Sequence, residues 1–181
     1  MGRPKAELEL EGRSFLDRIL DAASPVFEAV FTVTRSGEPA PTERVPAIRE
    51  ELHPGTSAIF GVRSALLHSG DRAWILGVDY PLLTTDILRH LRARFERSTA
   101  MMLVPVWDGQ PQFLCAGYDS QLSGILDGMA QSGRRRLRDL IDEVATELIP
   151  EDELRARFGG EPLANVNYPA DYESLRKAHE Q

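Results

Sequence analysis

Short apolar runs alternate with amphipathic helical stretches along almost the whole chain. That alternation restricts it to a sheet covered by helices on both faces. Ala73–Val78 is apolar on both sides, as a central strand of a parallel sheet must be. Ala100–Val106 repeats the pattern. Between them Ile87, Leu88, Leu91 and Phe95 recur at helical spacing behind Thr84-Thr85-Asp86, a capping sequence. Upstream, Leu16, Ile19, Leu20 and Ala23 mark a helix over residues 14–23 that Ser24-Pro25 ends. Ala29–Thr34 and Val45–Ile48 read as strands flanking the Gly- and Pro-containing loop 35–42, and Pro54-Gly55-Thr56-Ser57 opens another helix. Downstream, Asp108-Gly109 is a turn and Phe113–Tyr118 its return strand. Helical stretches over 119–131 and 134–142, a strand at Val144–Ile149 and a short helix at 151–157 follow. A last short strand at Leu163–Val166 and a closing helix at 169–179 complete the pattern. The pattern predicts an α/β fold, a doubly wound and mostly parallel sheet, in one domain over 1–181.

Composition excludes several function classes. The net charge of −7 argues against a general nucleic-acid binder, which presents a basic surface. A nucleotide needs only a few local cations and stays compatible with it. The longest apolar run, Ala100–Trp107, contains Pro105 and is far short of the ~20 residues of a membrane span. Cys115 is the only cysteine, so no intrachain disulfide forms and a cytoplasmic setting is the default.

Few residues are placed for chemistry. Asp79 follows the apolar strand directly, where an open parallel sheet binds ligands. A carboxylate there can hold Mg²⁺ together with waters and substrate phosphates, or simply cap a turn. Lys5 stands beside Gly2 and Pro4, which suggest a shaped loop where glycine lets backbone approach a phosphate, or it is simply a solvated lysine near a terminus. Asn165 and Asn167, two apart, share one side of an extended segment, or serve the turn before Pro169. Arg134-Arg135-Arg136 reads as a solvated helix face, and Cys115 as a core residue. His53, His68, His90 and His179 lack metal-ligand spacing.

Taken in order, Met1-Gly2-Arg3-Pro4-Lys5-Ala6, Pro54-Gly55 with Gly61, Asp79-Tyr80-Pro81, Gln112 to Tyr118 and Asn165-Val166-Asn167-Tyr168-Pro169-Ala170-Asp171 resemble the molybdenum cofactor guanylyltransferases. The resemblance covers essentially the whole chain and implies a Rossmann-like nucleotidyltransferase fold. It departs from the family pattern at Ser57-Ala58-Ile59, at Glu50, where the family usually has an Asp, and at Tyr168. The family's first strand and Gly-rich loop have no counterpart ahead of Met1, so the expectation is a chain that lacks them.

The resemblance implies transfer of GMP from GTP to molybdopterin, with Mg²⁺ as cofactor and molybdoenzyme chaperones as further partners, but neither nucleic acid nor membrane. By the same resemblance Lys5 and Asp79 are catalytic. Gly2, Lys5, Glu50 and Asp79 bind GTP, Asp79 holds the metal, and Asn165 and Asn167 face the molybdopterin. A cytidylyl-transferring sister group usually carries Asp in the closing motif, so the two asparagines lean toward guanine. Two other readings stay open: a nucleotidyltransferase using CTP or another acceptor such as a sugar phosphate, and an inactive relative that binds the molybdenum cofactor.

Overall fold

The computed structural model describes residues 4–50 and 57–179. A hairpin of β1 (Glu9–Leu10) and β2 (Arg13–Ser14) leads into α1 (Phe15–Ala23). The hydroxyl of Ser14 caps α1 by accepting from the Asp17 amide at 3.0 Å. Next come β3 (Thr32–Thr34), β4 (Ala47–Arg49), α2 (Ala58–Ser69), β5 (Ala73–Leu76) and α3 (Thr85–Arg97). The second half holds β6 (Met102–Trp107), β7 (Gln110–Pro111), β8 (Cys115–Tyr118) and α4 (Leu122–Gln131). A 3-10 helix (Leu137–Asp142), β9 (Thr146–Ile149), α5 (Glu151–Phe158) and α6 (Pro169–His179) complete it.

The main sheet runs β5-β8-β6, with β7 and β9 also paired to β6. The β6·β9 pair is parallel, whereas β8 lies antiparallel to both β5 and β6. Thus β5, β6 and β9 share one direction, and the return strand after Asp108-Gly109 inserts between two of them. A separate parallel pair, β3·β4, stands beside this sheet. Among the described residues no strand joins β3 to β5.

The period-two alternation of the strands builds two cores. Trp74, Leu76, Leu103, Trp107 and Cys115 face α1, α3 and α5. Ile75, Met102, Val104, Ala116 and Tyr118 face α2, α4 and the 3-10 helix. Gly117 is required on the first face, because a Cβ there would collide with the Phe95 ring. The doubly wound expectation therefore holds.

Two local expectations do not. Leu163–Val166 forms no strand. Instead its Val166 amide donates to the Asp79 carbonyl at 2.9 Å, one cross-link in place of a ladder. The stretch 134–142 is a 3-10 helix only from Leu137 onward. Gly2, His53 and Pro54-Gly55-Thr56 lie outside the described residues. Ser57 does cap α2, accepting from the Ile59 amide and donating to the Arg135 carbonyl at 2.8 Å.

Candidate active site

Asp79 sits just beyond the carboxyl end of β5, in a turn that Pro81 closes. Five hydrogen bonds fix it there. The Gly77 amide donates to the Leu114 carbonyl at 2.6 Å, tying the end of β5 to the segment before β8. Val166 binds the Asp79 carbonyl from the closing segment. Tyr80, nearly fully buried, donates its hydroxyl to Gln112 Oε1 at 2.9 Å. The Gln112 amide in turn donates to the Trp107 and Gln110 carbonyls at 3.0 and 2.8 Å. Burial, with the Asp79 charge adding to it, pushes the Tyr80 hydroxyl far up, and the Asn165 side chain beside it moderates the rise. Tyr80 therefore stays a neutral donor.

The Asp79 side chain is left available for a ligand. Its Oδ2 lies 3.9 Å from Lys5 Nζ. Its Oδ1 is buried and has no hydrogen-bond partner, a costly state for a carboxylate oxygen unless something positive joins it. Asn165 Oδ1, one residue from the Val166–Asp79 bond, is likewise buried and unpartnered. An orphaned carboxylate oxygen is the donor chemistry of a divalent cation that completes its shell with waters and phosphates. Among the described residues no group of three His, Cys, Asp or Glu side chains could hold a metal alone.

Lys5 donates to Asn167 Oδ1 at 3.0 Å, joining the two ends of the sequence over the Asp79 turn. Asp171 holds Asn167 in place: its Oδ2 accepts from the backbone amides of Asn167 at 2.9 Å and Tyr168 at 2.7 Å. Lys5, Asp79, Asn165 and Asn167 are therefore brought together. Glu50 is not part of that contact set. Its amide donates to the Thr34 carbonyl at 2.8 Å, and its carboxylate packs against Gly61 of α2. It lines, as do Ala6 and Val78, the groove between β3 and β5.

The residues set aside in the sequence take no part in this contact set, although Arg134, Arg135 and Arg136 precede the 3-10 helix and form no helix face. Arg134 pairs with Glu143 and Asp139, and Arg135 stacks on Phe60 at 4.7 Å. Cys115 is fully buried, and burial pushes its thiol up to about 12. Gly77, Gln112 and Asp171 support the site although the sequence assigned them no role. Gly77 is the sharpest case, since a Cβ there would overlap Asp79 Oδ1. A glycine two residues before a strand-end carboxylate was the available signal.

Comparison with known proteins gives the family and the fold. Residues 1–148 match the family model described as the MobA-like NTP transferase domain. A curated relative from Mycobacterium marinum, named "probable molybdenum cofactor guanylyltransferase", is 33% identical over 94% of this chain and 84% of its own length. The crystal structure of molybdopterin-guanine dinucleotide biosynthesis protein A from Archaeoglobus fulgidus superposes with a TM-score of 0.81 at 23% identity. That superposition covers 98% of this chain and 91% of the other. Rv0371c from Mycobacterium tuberculosis, solved in complex with manganese, superposes at 0.65 with 17% identity, over 97% of this chain and 93% of its own.

Proposed function

Since the chain belongs to the family of MobA-like NTP transferase domains, a family of nucleotidyltransferases, we propose that it transfers GMP from GTP to molybdopterin. The terminal phosphate oxygen of molybdopterin attacks the α-phosphorus of GTP. The bond from that phosphorus to the β-phosphate bridging oxygen breaks, and pyrophosphate leaves as molybdopterin guanine dinucleotide forms. The observation that carries the reading is the Asp79 carboxylate, whose Oδ1 is buried without a partner and whose Oδ2 lies 3.9 Å from Lys5 Nζ.

Catalysis of this kind is mostly positioning and charge neutralisation. Lys5 rests between Asn167 Oδ1 and Asp79, and an arriving phosphate replaces the amide oxygen as its acceptor. Asn167, released from Lys5 but still held by Asp171, then faces the acceptor molybdopterin together with Asn165. Asp79 is the residue that would hold Mg²⁺, which when bound would neutralise phosphate charge in the transition state. Glu50, across the groove, takes the nucleoside side, and Gly2 offers close backbone approach to phosphate. The reading implies a cytoplasmic setting and molybdoenzyme chaperones as recipients of the product.

The test is incubation of the purified chain with molybdopterin, MgCl₂ and either GTP or CTP, read by mass spectrometry and pyrophosphate release. The expected outcome is the guanine dinucleotide with stoichiometric pyrophosphate. Preferential use of CTP, or turnover unaffected by leaving out molybdopterin, would contradict it.

A further inference from the structure

Arg18 of α1 reaches both of the segments that bring Lys5 and Asp79 together. Its Nε donates to the Pro81 carbonyl, in the turn that carries Asp79, at 2.9 Å. Its Nη1 donates to the Leu10 carbonyl at 3.4 Å and to the Glu11 carboxylate at 3.0 Å, both in the β1–β2 hairpin. That hairpin follows directly on the Lys5–Glu7 turn. The Phe15 amide closes it, donating to the Leu8 carbonyl at 2.7 Å. One guanidinium therefore ties the lysine-bearing segment to the aspartate-bearing turn. Apolar packing repeats the junction. Leu8 and Leu10 on the lysine side, Leu82 on the aspartate side and Val166 on the asparagine side share one small cluster with Phe15. Such a cluster resists separation of the segments but does not fix their distance, because apolar attraction is non-directional. The Arg18 bonds are directional, and an ionised donor makes hydrogen bonds roughly twice as strong as a neutral one. The Glu11 side chain is 51% exposed, so that ion pair is screened and weak. The two carbonyls are the substance of the contact. They lie in two directions, which the planar fork of a guanidinium serves and the point charge of a lysine does not.

We infer that Arg18 is a positioning residue that sets the separation of Lys5 Nζ from Asp79 Oδ2, 3.9 Å. It acts through the backbone of the two segments and not on a substrate. Its effect on turnover rests on the function proposed above, whereas the separation itself is read without any substrate.

The probe is a water-soluble carbodiimide added to the full chain without nucleotide or metal. The reagent activates a carboxyl group, an amine in contact attacks the acyl carbon, and an amide forms as the urea leaves. Lys5 and Lys177 are the only lysines. The Lys5–Asp79 product reports the junction, and Lys177–Glu173, one turn apart on α6, is the internal reference. Tandem mass spectrometry gives their ratio. Arg18→Lys keeps the charge but not the fork, and should lower the ratio by about tenfold, the loss of one charge-assisted hydrogen bond. Glu11→Gln keeps both carbonyl bonds and should leave it within about twofold. Leu103→Ala, destabilised in the main core with the junction intact, should keep it as well. In the transfer reaction Arg18→Lys should lower kcat by about tenfold or more, with the KM for GTP changed less than about threefold. An unchanged ratio in Arg18→Lys would overturn the assignment, as would an equal loss in Glu11→Gln or in Leu103→Ala. So would an Arg18→Lys chain that no longer melts cooperatively, or a wild-type chain that forms no Lys5–Asp79 product. If the ratio falls as expected while the wild-type chain transfers no GMP, the positioning role stands and only the transferase reading fails.

Discussion

The two sides of Asp79 are built to different standards. On one side β5, β8, β6 and β9 form a paired sheet packed on both faces, with Leu103, Ala116 and Tyr118 wholly excluded from solvent. On the other side the β3·β4 pair touches the rest through α2 and leaves Phe31 and Val33 38% and 37% exposed. The site lies on the boundary. Its rigid half anchors the Asp79 backbone through Gly77, Leu114 and Val166, while its open half borders Glu50 and the groove. On the proposed function, the difference makes position of the carboxylate and capture of the nucleotide separable tasks: the packed half would fix where charge is placed, and the open half would receive the nucleotide.

The largest expected effect lies at the boundary itself. Asp79→Ala should lower guanylyl transfer by about a thousandfold, the loss of several kcal/mol of charge stabilisation. The same change removes a buried oxygen without a partner, so chemical denaturation should show stability unchanged or raised by about 1 kcal/mol. A large loss of stability would instead place Asp79 among the groups holding the packed half together.

Between the two halves, truncation should separate sharply. Leu103→Ala should cost about 2–5 kcal/mol, as a fully buried leucine does. Val33→Ala, in the open half, should cost less than about 1 kcal/mol. Equal costs by urea titration would erase the distinction.

Gly77→Ala tests the anchoring directly. The added methyl group overlaps Asp79 Oδ1 and lies 3.2 Å from Leu114 Cβ, so the carboxylate must turn. Activity should fall by about tenfold or more with a stability loss of only about 1 kcal/mol, as expected for a local displacement. Kinetics and melting of the same protein decide it.

The smallest effect is a pH dependence confined to the packed half. Glu147 accepts from Ser98 Oγ and from Arg94 Nε, both at 2.5 Å. The Ser98 bond first, and Arg94 with it, holds its carboxyl below the ordinary 4.5 against the opposing effect of burial. A lowered folded-state value means the ionised form is favoured in the fold. Its contribution is therefore complete above pH 4.5 and is lost as pH falls through the lower folded value. Glu147→Gln should flatten that part of the acid unfolding curve and leave stability at pH 7 to 8 parallel to wild type.

Much of the packed half was legible in the sequence, because burial writes itself as periodicity. The alternating residues of β5, β6 and β8 and the helical face Ile87, Leu88, Leu91, Phe95 all occupy the expected cores. The closing segment was read as a strand because Leu163 and Val166 are apolar. Both are indeed buried, but a single bond to Asp79 replaces pairing, and periodicity cannot distinguish the two. At the site, the approach of Lys5, Asp79, Asn165 and Asn167 followed from motif order. The roles of Gly77 and Asp171 did not, since a steric overlap and a pair of backbone bonds depend on three-dimensional approach.

The most direct test of the boundary carboxylate uses Mn²⁺ as a paramagnetic stand-in for Mg²⁺. Free Mn²⁺ would be counted by electron paramagnetic resonance while protein is titrated in the presence of GTP, with wild type and Asp79→Asn side by side. Asn keeps the shape of the side chain and removes its charge. The predicted result is a protein- and GTP-dependent loss of free Mn²⁺ in wild type that weakens by at least about tenfold in Asp79→Asn, one decade per 1.4 kcal/mol of lost interaction. Equal Mn²⁺ uptake by the two proteins would contradict the assignment of Asp79 as the group that holds the cation against the nucleotide.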